Sequence, residues 1–241
     1  MPFSLATLVA AARYARRPSP DGADPRHQLR DGVARSTGAI HVALTASARH
    51  GLYWLFKAVA ERRGAGEVLF WNYNFFAVPD MARRAGLTPV FLDGETIHGE
   101  PAIDDARRAI GPRTRAICVS HHFGRPSNLA AWSALAQEHG LDIVEDCAHA
   151  FGAAFDGTSV GRAGLGGAFS LSLTKALAGG AGGVVITDDR DLGAQLTAAE
   201  ARLTPTDDRE ALSTIASAAA GGLLLHRRTF QLGGLTATRL A

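Results

Sequence analysis

The chain has 241 residues, a net charge of +2, and 46% hydrophobic against 20% charged residues. That balance is ordinary for a soluble globular protein with a full core, as one large domain or one domain with an appended fragment. The positive residues are nearly all arginine, scattered with no basic run, so nucleic-acid binding has no compositional support. Cys118 and Cys147 form no disulfide framework, and a reducing cytoplasm is the simplest compartment.

In chain order, Phe3 to Ala12 is an apolar run followed, not preceded, by Arg13, Arg16 and Arg17, the wrong polarity for a secretion signal. Residues 1–34 are expected to form an N-terminal helix or docked arm. Ser47 reads as the N-cap of an apolar helix from Leu52 to Ala60. Strand and helix signals then alternate. Glu67–Trp71, Pro89–Leu92, Arg115–Ser120 and Asp142–Asp146 read as strands. Val78–Ala85, Ala102–Ile110 and Leu129–His139 read as helices, with Gly86, Gly111 and Gly140 where helices stop. A further small-residue run ends in Ser170, and Val184–Thr187 is another strand. Several strands are continuous apolar runs, as expected where both faces are covered. The fold class is α/β, a mostly parallel sheet with helices on both faces, over residues 35–203. Ala211 to Leu225 is weakly apolar, carries two serines and a threonine, and is shorter than the roughly 20 residues of a bilayer span. No membrane role is expected.

Ligands of such sheets bind beyond the carboxyl ends of the strands, where Asp146 and the Ser120-His121-His122 turn fall. The chain has two lysines. Lys57 sits mid-helix with Glu61 four residues on, a solvated helix face. Lys175 stands among small residues before a glycine-rich turn. An amine and a carboxylate at neighbouring strand ends are what an aldehyde cofactor with a pyridine nitrogen requires, namely pyridoxal 5'-phosphate.

The stretches TASARHGLYWLF, EVLFWNYNFFAVPDMARRAGLTPVFLD, RAICVSHHFGRPSNL, DIVEDCAHAFGA and FSLSLTKALAGGAGGVVITDD resemble, in order and spacing, the large domain of the DegT/DnrJ/EryC1/StrS aminotransferases, pyridoxal-phosphate enzymes of fold type I. The resemblance spans roughly 60% of the chain on these blocks. It implies that Asp146 holds the cofactor's ring nitrogen protonated and that Lys175 bonds the aldehyde carbon and then carries the substrate proton. An amine does this only when neutral, so partial burial and nearby positive charge are expected to lower its pKa. Phosphate contacts are implied at Ser47, Ala48, Arg49 and Ser170. At the first of these places the free amides of a helix start form an anion site, and Ala48-Arg49 replaces the family's glycine-threonine, losing one hydroxyl. Ser47 is equally well explained as a cap alone. Phe75 takes the place of the stacking aromatic, with Tyr73 and Phe76 as rivals and core packing as the plain alternative. His149 resembles the residue bonding the phenolic oxygen, or is a histidine satisfied by a carbonyl.

Cys118, His121, His122, Cys147 and His149 cluster at strand ends, but their spacing matches no common zinc signature and no metal is expected. No Gly-x-Ser-x-Gly elbow is present. The resemblance implies transfer of an amino group from glutamate or glutamine to a keto-sugar nucleotide, in a homodimer. It also implies a small C-terminal domain whose segments are not recognisable after about Thr204, so 204–241 is expected to be truncated or divergent. An inactive module acting by association therefore stays open beside the enzyme, as does a lyase or other transferase on the same scaffold.

Overall fold

The computed structural model describes residues 24–94, 99–172, 174–177, 179–204 and 213. The expectations for residues 1–23 and for nearly all of 204–241 lie outside these. The first helix, α1 (Pro25–Thr37), starts at a side-chain cap in which Asp24 accepts from the Arg26 amide at 2.9 Å. The chain continues through β1 (His41–Thr45), α2 (Ala48–Arg63), β2 (Gly66–Trp71), α3 (Ala77–Arg84), β3 (Leu87–Leu92), α4 (Ile103–Ala109) and β4 (Thr114–Ser120). After a 3-10 turn at His122–Gly124 come α5 (Leu129–Glu138), β5 (Asp142–Asp146), a two-stranded ribbon of β6 (Ala154–Phe155) and β7 (Thr158–Ser159), β8 (Gly166–Ser170), β9 (Gly183–Thr187) and α6 (Arg190–Glu200).

Seven strands form one sheet in the order β1-β9-β8-β5-β4-β2-β3. β3, β2, β4, β5 and β8 pair in parallel, while β9 runs antiparallel to both β8 and β1. The expected sheet, mostly parallel and covered on both faces, is therefore present. The expected helices and strands agree with it to within a few residues, and the Ser47 helix extends further in both directions, from Ala48 to Arg63. Alternate strand residues feed two separate cores, as the pleat demands. Leu69, Trp71, Ile117, Val119, Ile143 and Phe169 pack on the face covered by α1, α4 and α5. Val68, Phe70, Ala116, Cys118, Val144 and Ala168 pack on the face covered by α2, α3 and α6.

α2 lies close against β8 and β9. A side chain at Gly51 would come within 2.6 Å of Val185, and one at Gly183 within 2.4 Å of the Ala48 amide nitrogen. The absence of Cβ at Gly183 is what lets β9 run directly beneath the first turn of α2. Among the described residues no helix is long and apolar enough to cross a membrane.

Candidate active site

Asp146 is the last residue of β5, and both neighbours hold its backbone. It pairs with Ser120 of β4 and Ala168 of β8, and its carbonyl accepts from the His121 amide at 3.1 Å. The strand therefore fixes where its carboxylate emerges. One carboxylate oxygen accepts from the Ala148 amide at 3.1 Å, closing the turn that follows the strand. This bond leaves the rest of the carboxylate available, so the turn bond and a second role coexist. Burial raises the Asp146 pKa, against the lowering pull of the Ala148 amide and of His122, His121 and His149.

Lys175 sits in the connection from β8 to β9. That connection is closed by bonds from the Leu171 amide to the Gly182 carbonyl at 3.1 Å and from the Gly179 amide to the Leu171 carbonyl at 2.7 Å. The Lys175 amide donates to the Ser172 carbonyl at 3.0 Å, which turns the chain at the lysine. Its Nζ lies 2.5 Å from His149 Nε2. Burial lowers the Lys175 pKa, and the Asp146 charge opposes that shift. The expectation of nearby positive charge needs correction here: burial drives the lowering, and the charged neighbour acting on the amine is an acid. Burial likewise lowers the pKa of His149, helped by the Lys175 charge and opposed by Asp146. The amine, the imidazole and the carboxylate thus share one electrostatic neighbourhood. Neither Lys175 nor Asp146 has an ion-pair partner among the described residues. Lys57 instead pairs with Glu61 at 3.7 Å on an exposed helix face.

Ser47 caps α2, its hydroxyl accepting from the His50 amide at 3.2 Å. The Ala48 and Arg49 amides, at the first two helical positions, are among those a helix leaves without an internal partner. Ser47 also bridges to Gly182, so the helix start lies beside the end of the lysine loop. From the other side Ser170 enters this region at the end of β8. Its hydroxyl bonds Ser172 Oγ at 3.1 Å and accepts from the Ser172 amide at 3.3 Å. Ala48 is buried, and the Arg49 side chain reaches into solvent.

Phe75 is 54% exposed and packs on Phe76, 76% exposed, with ring centroids 4.7 Å apart. Core packing does not account for either ring. Tyr73, also exposed, turns instead to His122 and Phe123 at 5.3 and 6.0 Å. The loop bearing these rings is tied to β4 by Asn74, which donates to Ser120 Oγ at 3.1 Å.

Next to Asp146 lies a second acid whose role the sequence reading missed. Glu145 is fully buried, accepts from the Gly161 and Ala163 amides at 2.7 Å each, and faces His121 Nε2 at 2.9 Å. His121 Nδ1 accepts from the Ser127 amide at 3.1 Å, which puts the ring proton on Nε2 and makes it the donor to Glu145. His121, Glu145 and the Cys147 thiol bring ligand atoms within 4.8 Å of one another. Both nitrogens of His121 and both oxygens of Glu145 are nonetheless engaged within the protein. Burial also pushes the Cys147 thiol well above its ordinary pKa, away from the thiolate a metal takes. The period-two pattern of DIVED was the available signal: it puts Glu145 with buried Ile143 and turns Asp146 the other way.

These residues fit pyridoxal phosphate on the chain's own chemistry. A partly desolvated amine with no ion pair, a half-buried carboxylate within its electrostatic reach and a helix start with free amides lie around one end of the sheet.

A sequence profile of the DegT/DnrJ/EryC1/StrS aminotransferase family matches residues 24–208. The chain is 38% identical over 161 residues to the UDP-N-acetyl-3-dehydro-alpha-D-glucosamine 3-aminotransferase of Acidithiobacillus ferrooxidans, covering 66% of this chain and 43% of that protein. It is 40% identical over 132 residues to the L-glutamine:scyllo-inosose aminotransferase of Streptomyces griseus, covering 54% of this chain and 31% of that protein. The crystal structure of DesI in the presence of its TDP-sugar product superposes with a TM-score of 0.69 at 35% identity, over 81% of this chain and 50% of that one. The chain thus spans half or less of the length of these relatives. With sheet order and sequence in agreement, it belongs to the DegT/DnrJ/EryC1/StrS aminotransferase family of pyridoxal-phosphate-dependent proteins, and its sheet has the fold-type-I architecture of that family's large domain.

Proposed function

We propose that this chain binds pyridoxal 5'-phosphate through Lys175 and transfers an amino group from glutamate or glutamine to a keto-sugar nucleotide. The observation that carries this reading is the meeting of Lys175, His149 and Asp146 at the carboxyl end of the sheet, with the amine and the carboxylate both free of ion pairs among the described residues. The substrate class is supported by the relatives, which are named for sugar and cyclitol amination.

When bound, the cofactor supplies an electron sink for the carbon that loses its proton. Asp146 is the residue to face the ring nitrogen: its carboxylate, disfavoured by burial, gains the cationic N–H partner it lacks. Lys175 supplies the attacking amine, and its lowered pKa enlarges the neutral fraction that can accept a proton. His149 Nε2, already bonded to Lys175 Nζ, is placed to donate toward the cofactor's phenolic oxygen once the lysine is engaged. The Ala48 and Arg49 amides, the Ser47 and Ser170 hydroxyls and the Arg49 charge would hold the phosphate, aided by the α2 dipole. Phe75, already exposed, would cover the ring. A homodimer in a reducing cytoplasm fits this reading. Both cysteines are free and buried, and light scattering on the purified chain measures the oligomer.

The test is borohydride reduction of the purified chain with added cofactor, followed by mass spectrometry of its peptides. The cofactor mass is expected on Lys175, and the same adduct in Lys175→Ala would overturn the assignment. Conversion of the bound cofactor to its amine form by glutamate or glutamine, reversed by a keto-sugar nucleotide, tests the reaction. Retention of cofactor with no such conversion would leave a binding module, and release of a different product would make it a lyase.

A further inference from the structure

Near the carboxyl ends of β2 and β4, Trp71 Nε1, Asn74 Oδ1 and His122 Nε2 are buried with no hydrogen-bond partner among the described residues. Buried donors and acceptors are nearly always satisfied, by ordered water where no protein group reaches them. The Trp71 and His122 rings meet edge-on with centroids 5.4 Å apart, and both residues border a cavity of about 20 Å³ whose wall also includes Ser120 and Ser127. A single water needs about 10–15 Å³ and at least two polar partners. The indole N–H only donates, and an unprotonated imidazole nitrogen only accepts. Water is the smallest group that serves both.

We propose that one ordered water occupies this cavity, accepting from Trp71 Nε1–H and donating to His122 Nε2, and that it ties the end of β2 to the turn after β4. His122 is wedged between Trp71 and Tyr73, whose rings lie 5.4 and 5.3 Å away. The water holds that wedge as the neutral tautomer with its proton on Nδ1. The Tyr73 carbonyl, near enough to favour a ring proton, is the group that tautomer would face. Asn74, bonded to Ser120 at 3.1 Å, is the direct tie beside the bridged one. The inference stands on buried polar groups and holds whether or not the cofactor assignment does.

A crystal structure that resolves solvent should contain a peak within hydrogen-bond distance of both atoms, and its absence would overturn the proposal. Trp71→Phe and His122→Phe each strand one polar group, whereas the double variant removes both. Each single change is expected to lower the thermal midpoint by a few degrees, with the double variant recovering at least half of the summed loss. A solvent peak combined with strictly additive losses would also overturn the tie. If a variant fails to fold, the unaltered protein still decides. Long-range nitrogen–proton spectra should find His122 Nε2 unprotonated and the Trp71 indole proton exchanging magnetisation with bound water. A protonated Nε2 would exclude the bridge.

Discussion

Both ends of the sheet are polar, and they treat their charges in opposite ways. At the amino end a cavity of about 590 Å³ is bordered by Arg62, Arg63, Arg115 and His139. Its arginines are mostly held by protein partners, although Arg115 Nε is buried without one among the described residues. Arg63 forks onto Asp142 at 2.6 and 2.8 Å and donates to the Gly140 carbonyl at 2.5 Å, Arg62 holds Asp189 at 2.7 Å, and Arg115 donates to the Pro112 carbonyl at 3.0 Å. At the carboxyl end a lysine and an aspartate share a neighbourhood without pairing, each shifted by burial toward its neutral form. On the proposed function the chemistry lies not at the larger hollow but where the lysine and the aspartate stay without an ion pair.

The strongest way to break this comparison is at Glu145, an acid beside the site with both oxygens engaged. Glu145→Ala strands the Gly161 and Ala163 amides and His121 Nε2 at once, with an expected loss of about 3–5 kcal/mol in denaturant unfolding. Gly183→Ala is next. The added methyl would meet the Ala48 amide nitrogen at 2.4 Å, so β9 must move from the start of α2, at an expected cost of about 1–3 kcal/mol and with weaker phosphate retention, read by calorimetry and cofactor titration.

Asp146→Asn should separate function from stability. Cofactor affinity is expected to fall at least tenfold, about 1.4 kcal/mol, while the thermal midpoint holds or rises. Because the folded pKa of Asp146 lies above 3.8, the folded chain binds this proton more tightly than the unfolded one. Stability contributed by this group therefore falls as pH rises from 3.8 through the raised value, and the asparagine variant should flatten that slope. The smallest effect belongs to the amino end. Arg63→Ala removes a half-exposed pair and should cost about 1 kcal/mol or less, with cofactor binding unchanged. A loss of cofactor in that variant would overturn the contrast between the two ends.

Much of the carboxyl end was legible because rare residues mark it. With two lysines in the chain, one explained by Glu61, the other stood out, and the strand DIVED had to end at Asp146. The roles within the pair Glu145-Asp146 were harder to read. Both acids are strand-end neighbours, and only the pleat and the amides of Gly161 and Ala163 separate a carboxylate held within the protein from one left available. β1 escaped notice because HVALT is five residues long without turn signals of its own. The source of the Lys175 shift was misjudged, since burial of a side chain in a glycine-rich loop depends on what packs over it and not on its sequence neighbours. The reversed direction of β9 was readable in principle. Residues 171–182 carry no helical pattern, and a parallel return of that length ordinarily needs a crossover helix.

That reversal has a mechanical consequence. A strand that turns back on its neighbour keeps both anchor points of its connection at the same end of the sheet. The lysine therefore rides a tether pinned at each foot, one foot in β8 and the other beneath the first turn of α2. Such a tether confines the amine to one small volume, the placement that the bond proposed at Lys175 would need.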